Sequence, residues 1–120
     1  MQLDDLQHLL VESLDDLKAR DIVTLDVSGM STVTDRMIIA TGNSRRQVSS
    51  MARNIQDKAK AEGVRPLGME GEQLGEWVLV DFGDIIVHIM QEDVRHFYQL
   101  ERLWSKQSLP GDEEPVANSG

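Results

Sequence analysis

The sequence predicts a single α/β domain, of the α+β type, in which helices flank a mixed five-stranded sheet. Leucines at helical spacing occupy the start of the chain. Runs rich in β-branched residues, typical of strands, alternate along the rest of the chain with helical stretches. A glycine-containing pair of residues joins two of the apolar runs, as in a hairpin. A chain of 120 residues can bury one hydrophobic core. We expect the domain to occupy residues 1–105, and the acidic tail, residues 106–120, to be disordered because it lacks apolar periodicity.

The first three elements are a helix and two strands. Leucines at positions 3, 6, 10, 14 and 17 step by three and four residues, which predicts an amphipathic helix over residues 3–20. The β-branched run "IVTLDV", residues 22–27, predicts a strand that ends at the turn residues "SGMST". A second strand follows over residues 36–41, where the nearly continuous apolar run "RMIIAT" indicates a central place in the sheet.

The next helix begins after "GNS", where Asn43 or Ser44 is placed to cap it, and Gly63 is placed to end it. Residues 44–62 hold five basic and two acidic side chains, so this helix is basic within an acidic chain. A strand–glycine–helix junction can hold a phosphate, although an ordinary helix cap requires the same residue types. A short strand is expected within residues 64–69.

Two strands and a helix complete the domain. The runs "WVLVDF" and "DIIVHIM" meet at Gly83–Asp84, and glycine first in a two-residue loop fits a type II′ hairpin turn. If Phe82 pairs with Ile85, alternation places on the core face Val78, Val80, Phe82, Ile85, Val87 and Ile89. The other face then carries Trp77, Leu79, Asp81, Ile86, His88 and Met90. The last helix is predicted over residues 92–104, with an inward stripe of Phe97, Leu100 and Trp104.

Composition excludes several classes of site. The chain has no cysteine, which excludes disulfides, thiol nucleophiles, iron–sulfur clusters and Cys-ligated zinc. The N-terminus does not resemble a secretory signal and no apolar run approaches the roughly 20 residues that span a bilayer, so we expect a cytoplasmic protein that does not enter membranes. A formal net charge of −9 argues against sequence-independent binding to nucleic acid and favours a basic partner. We expect no cofactor and no direct sequence-specific nucleic-acid binding.

The hairpin raises the question of a metal-dependent site. Two carboxylates that share an ion on a sheet commonly lie at positions i and i+2, because period two aims both at one point. Asp81 and Asp84 are three residues apart, and no neighbouring strand offers an obvious third acid. We therefore expect Asp84 to form the turn, Asp81 to be solvated or hydrogen-bonded beside it, and His88 to pack rather than react. Neither a catalytic nor a metal-binding residue is predicted.

Trp77 and Tyr98 are candidates for a binding surface. Trp77 begins its strand at the rim of the sheet, and Tyr98 falls at the edge of the last helix's apolar stripe. Residues 66–104 hold eight acidic and two basic side chains. Large aromatic side chains inside an acidic ring describe an anchor for a basic partner. The alternative is that both are boundary aromatics that complete the core.

Four motifs, in order along the chain, make it resemble the ribosomal silencing factor S family, also called Iojap. They are "TDRMIIATGNSRRQV", the pair Glu70–Gly71, "WVLVDFGDIIVHIMQE" and "FYQLERLW". The resemblance covers about residues 4–105 and leaves the acidic tail outside. It implies a small α/β fold related to that of nucleotidyltransferases but without their catalytic carboxylates.

The resemblance also implies a function. Members of the family bind ribosomal protein fourteen of the large subunit on the face that meets the small subunit. They thereby block subunit joining and repress translation under nutrient limitation, as in stationary phase, and free members are often homodimers. Carried onto this chain, the partner-binding residues are Trp77, Tyr98, Glu70, Asp81, Phe82 and Asp84.

Two other interpretations stay open beside this non-enzymatic one. A metal-dependent nucleotidyltransferase or phosphohydrolase would use Asp81, Asp84 and the loop of residues 42–44. A housekeeping dimer would instead bury Trp77 between two copies of the chain.

Overall fold

The computed structural model describes residues 1–100 and 102. Its elements are α1 (Leu3–Asp16), β1 (Arg20–Asp26), β2 (Arg36–Gly42), α2 (Arg45–Ala61), β3 (Gly68–Glu70), β4 (Trp77–Asp81), β5 (Ile85–Gln91) and α3 (Glu92–Tyr98). The strands form one sheet in the order β1-β2-β5-β4-β3, in which β2 and β5 are parallel and the other neighbours antiparallel. The predicted mixed five-stranded sheet is confirmed, whereas its relation to nucleotidyltransferases stays a prediction.

Helices α1 and α2 cover one face of the sheet. The leucine stripe of α1 is buried against the apolar stripe of α2 and the core-facing residues of β2, β4 and β5. Two side-chain amides of α2 fix the helix pair, since Asn54 Nδ2 donates to the Ser13 carbonyl and Gln47 Nε2 donates to the Leu17 carbonyl, each at 3.0 Å. Helix α1 ends four residues earlier than predicted because the chain turns at Lys18, which has a φ of 68°.

Helix α2 has the termini that the sequence predicts. Ser44 is the N-cap, and its hydroxyl accepts a hydrogen bond from the Gln47 amide at 3.1 Å. At the other end the chain leaves the helix through Gly63, whose φ of 82° is accessible to glycine at low cost. Between these two ends, the side chains of Val48, Met51 and Ile55 are fully buried against the sheet.

Strands β4 and β5 form the predicted hairpin. The Phe82 amide donates to the Ile85 carbonyl at 2.9 Å, and Gly83 has a φ of 89° while Asp84 does not have a positive φ, as a type II′ turn requires. Val80 pairs with Val87 in the ladder, so the two predicted faces of the hairpin are confirmed. We call the sheet face opposite α1 and α2 the outer face.

Only one end of the outer face is covered by a helix within the described part of the chain. Helix α3 packs there against β5 and β2, and a small apolar cluster forms between them from Val27, Met37, Ile39 and Met90, with Val94 and Leu100 at its edge. Elsewhere on this face Leu79 and Ile86 are half-buried. No helix of the described residues is both long and apolar enough to cross a membrane.

The prediction for the last helix is wrong in two respects. Helix α3 ends at Tyr98, because Gln99 adopts a left-handed conformation with a φ of 49°, although Leu100 and Arg102 are helical again. The predicted inward position of Leu100 is confirmed, since it packs at the edge of the apolar cluster. Phe97, which was expected to point inward, is 78% exposed, and Arg95 is buried in its place. Trp104 and the tail of residues 106–120 lie outside the described residues.

Candidate functional site

The backbone before Trp77 is held by the neighbouring strand. The Gln91 amide donates to the Glu76 carbonyl at 3.0 Å, and the Gln91 side-chain amide donates to the Gly75 carbonyl at 3.3 Å. Gly71 has a φ of 84° and lies so close that a β-carbon at this position would overlap the carbonyl oxygen of Trp77. These contacts fix the backbone position of Trp77, which is the first residue of β4 and whose side chain lies on the outer face.

The indole of Trp77 is half-buried and bonded to His88. Its Nε1 donates to His88 Nδ1 at 3.0 Å, and the two ring centroids are 5.9 Å apart. His88 is 6% exposed, and this burial lowers the pKa of its imidazole to about 4, so the ring is neutral at pH 7. The prediction that His88 packs in the sheet is confirmed, with a partner that its position in the sequence did not reveal.

Two further aromatic rings continue from Trp77 to the surface. The Tyr98 ring contacts Trp77 at a centroid distance of 4.9 Å, and the Phe97 ring meets Tyr98 edge to face at 4.9 Å. Tyr98 is 56% exposed. We call Trp77, Tyr98 and Phe97 the aromatic row. Phe97 was not predicted as a surface residue, since its place in the apolar stripe of the helix suggested burial.

Two acidic residues lie near Trp77 along the strands, on different sides of the sheet. Glu76 directly precedes Trp77, and its carboxylate lies 3.2 Å from the Arg45 guanidinium in an ion pair that is open to solvent. Glu70 is exposed on β3, where it pairs in register with Leu79 of β4. A solvent-exposed pair such as Arg45–Glu76 contributes little to stability. Glu76 therefore has a basic neighbour in Arg45, and Glu70 is the exposed carboxylate on the outer face.

The two aspartates of the hairpin act in the turn. Asp81 Oδ1 accepts a hydrogen bond from the Gly83 amide at 2.8 Å. Asp84 is exposed, and its carbonyl accepts from the amides of Asp35 and Arg36, which ties the turn to the start of β2. These are the local roles expected of aspartate at a turn. Among residues 1–100 and 102, no three histidine, aspartate or glutamate side chains are grouped as a metal ion would require.

The Gly42–Ser44 loop is bonded to the first turn of α2. The Asn43 amide donates to the Gln47 side-chain oxygen, and the Gln47 amide donates to Ser44. Arg20, which lines the open pocket beside this loop, is paired with Glu92 at 2.6 Å. The loop thus has the hydrogen bonding of a helix cap, which was the simpler of its two interpretations.

The six predicted partner-binding residues do not form one patch. Trp77 and Tyr98 are in contact, and Glu70 and Asp81 lie on the outer face along β3 and β4. Asp84 is at the far end of the hairpin. Phe82 is 7% exposed and belongs to the core under α1 and α2, so it can support the turn but presents almost no surface.

Comparison with known proteins identifies close relatives of the whole domain. The family model described as "Ribosomal silencing factor during starvation" matches residues 1–119. The ribosomal silencing factor RsfS of Haemophilus influenzae is 52% identical over 100 residues, which cover 83% of this chain and 98% of that protein. The RsfS of Chromobacterium violaceum is 46% identical over 107 residues, covering 89% of this chain and 88% of that protein.

The fold is also that of a solved relative. A crystal structure of a protein from Chromobacterium violaceum superposes with a TM-score of 0.86 at 46% sequence identity, and the match covers 88% of each chain. A match at this identity and TM-score shows that the two chains share one fold.

Proposed function

Because the chain belongs to the ribosomal silencing factor family, we propose that it binds the large ribosomal subunit and prevents the small subunit from joining it. The proposed partner is ribosomal protein fourteen of the large subunit, the protein that the sequence resemblance implies. One observation carries this proposal to particular residues. The rings of Trp77 and Tyr98 are in contact on the outer face, and Glu70 is exposed on the same face.

This arrangement suits a basic partner. A few residues near the centre of an interface carry most of the binding free energy, and tryptophan and tyrosine are enriched among them. Acidic groups around them raise the rate of encounter with a positively charged surface. The outer face combines both features in the aromatic row and Glu70, and the net charge of −9 extends the same attraction to longer range.

The proposed mechanism is steric and involves no catalysis. A domain anchored on the large subunit at the site where the small subunit docks would occupy the space that the small subunit needs. Translation would then fall with the fraction of large subunits that carry the factor. We further propose that the chain acts in the cytoplasm under nutrient limitation and that the free form is a homodimer.

Co-sedimentation with separated ribosomal subunits tests the proposal. The purified chain is mixed with isolated large or small subunits and centrifuged through a sucrose cushion. We expect the chain to pellet with large subunits only. Pelleting with small subunits alone, or with neither subunit, would refute the proposed function.

A further inference from the structure

The Trp77 ring is held between a rigid element and an exposed one. On one side lies Tyr98, which is more than half exposed and is the last residue of the seven-residue helix α3. On the other side lies His88, in the strand at the centre of the five-stranded sheet. His88 restrains the Trp77 ring more firmly than Tyr98 does, because β5 has a hydrogen-bonded strand on each side.

His88 has a fixed place in the ladder. It pairs with Leu79 of β4 and with Ile39 of β2, and Trp77 is its diagonal neighbour across the hairpin. Diagonal residues on one face of an antiparallel pair are within reach of aromatic side chains. The imidazole is thus enclosed by the sheet and turns one nitrogen towards the indole.

The hydrogen bond between the two rings determines which nitrogen of His88 carries the proton. An indole N–H is only a donor, so His88 Nδ1 must be the unprotonated nitrogen and Nε2 must carry the proton. The hydrogen bond is directional, and a half-turn of the indole about its Cβ–Cγ bond would carry Nε1 away from Nδ1. The bond therefore selects one orientation of the Trp77 ring from those that the half-buried site admits.

We propose that His88 is a positioning residue, which holds the indole of Trp77 in the orientation that binds the partner. This inference rests on the proposed function, in which Trp77 is an anchor. A ring ordered before binding does not lose its rotational freedom at the moment of association, so the hydrogen bond contributes to affinity although His88 itself is buried. Removal of the acceptor should weaken binding about tenfold, as the loss of one hydrogen bond to a buried group does.

Three variants separate positioning from a purely structural role. His88→Phe keeps an aromatic ring and removes the acceptor. His88→Asn restores one, because the asparagine Oδ1 occupies the position of the histidine Nδ1. Val87→Ala serves as the matched control, since Val87 is the adjacent residue of β5 and is fully buried on the opposite face of the sheet.

The experiment measures the affinity of the full chain for isolated large subunits, together with the unfolding transition of each variant. We expect His88→Phe to bind about tenfold more weakly, and His88→Asn to remain within about threefold of the unsubstituted chain. Val87→Ala should lower the unfolding midpoint and leave the affinity unchanged. In a Trp77→Phe background, which lacks the indole N–H, His88→Phe should change the affinity less than twofold.

Several outcomes would overturn the inference. Equal losses from His88→Phe with and without the indole N–H would show that the histidine acts independently of Trp77. Losses from Val87→Ala as large as those from His88→Phe would show that affinity follows fold stability alone. Failure of the unsubstituted chain to bind large subunits would refute the proposed function, whereas binding without coupling between positions 77 and 88 would refute only the role of His88.

Discussion

The rings of Trp77 and Tyr98 meet at a centroid distance of 4.9 Å and an interplanar angle of 51°, which joins the first residue of β4 to the last residue of α3. This tilted contact is a favourable geometry for two aromatic rings. It places on one surface two residues that are far apart in the sequence.

Truncation of either aromatic residue should weaken binding to the large subunit. Trp77→Ala and Tyr98→Ala each remove an anchor, and we expect a loss of about 2 kcal/mol or more, as for a central interface residue. Tyr98→Ala should leave the fold intact because Tyr98 is more than half exposed. Pelleting with isolated large subunits and circular dichroism measure the two effects. Arg53→Ala, on the exposed face of α2, is the control, and unchanged pelleting of both aromatic variants would contradict their assignment as anchors.

Loss of a charge at Glu70 should slow association rather than speed dissociation. Exposed charges at the edge of an interface act mainly through long-range attraction, which salt screens. We expect Glu70→Gln to lower the association rate at low salt and to differ little from the unsubstituted chain at high salt. Stopped-flow mixing with large subunits at two ionic strengths measures this. Asp57→Asn changes the net charge equally on α2, so an identical effect from that variant would show that only total charge matters.

Burial of His88 should make the fold less stable in mild acid. Its pKa is lowered from 6.5 to about 4, so between these values the unfolded chain binds a proton that the folded chain does not. The free energy of unfolding should therefore be highest above pH 6.5 and fall by about 3 kcal/mol as the pH decreases towards 4. Urea denaturation at pH 7 and pH 4.5 measures the fall.

The histidine variants isolate this contribution from that of the carboxylates. His88→Asn should lose much less stability over the same pH interval, because its side chain does not titrate. His96→Gln should behave like the unsubstituted chain, since His96 is exposed on α3. Equal pH dependence in all three proteins would show that carboxylates alone are responsible.

Substitution of Gly71 should disturb the start of β4. A β-carbon there would overlap the Trp77 carbonyl oxygen, and the φ of 84° is unfavourable for alanine. We expect Gly71→Ala to cost about 1–3 kcal/mol in the free energy of unfolding and to weaken binding to large subunits as well. Gly29→Ala is the control, because nothing lies within 4 Å of its β-carbon position, and it should stay within about 0.5 kcal/mol.

The sheet was predictable from the sequence because its signals are local. Apolar alternation, the turn at Gly83 and the cap at Ser44 each depend on a few adjacent residues, and each is found as predicted. Local signals also sufficed to place Trp77 at the start of its strand. The register of the hairpin followed from its two-residue loop.

The end of the domain was not predictable in the same way. Helix α3 has seven residues, too few for a helical stripe to define which side is buried, and the chain turns at Gln99. Arg95 is buried because its guanidinium donates to Thr41 Oγ1 at 2.8 Å and to the Asp21 carbonyl at 2.6 Å. These acceptors lie on strands that are far from Arg95 in the sequence, so the local apolar pattern favoured Phe97 for the buried position.

The Trp77–His88 hydrogen bond was missed for a related reason. The sequence placed both residues on one face of the hairpin, but whether the indole nitrogen or another edge of the ring faces the imidazole depends on side-chain rotamers. The polar contacts of the site therefore required the structure, although its location did not.

In the proposed function the bound domain keeps the ribosomal subunits apart, and a subunit-joining assay measures this effect. Separated small and large subunits are mixed at a magnesium concentration that permits joining, with increasing amounts of the chain added to the large subunits beforehand, and light scattering follows the joined particle. We predict that the chain lowers the joined fraction in proportion to its occupancy of large subunits, and that Trp77→Ala requires at least about tenfold more protein for the same effect. An undiminished joined fraction while the chain is bound to the large subunits would contradict the proposed steric block.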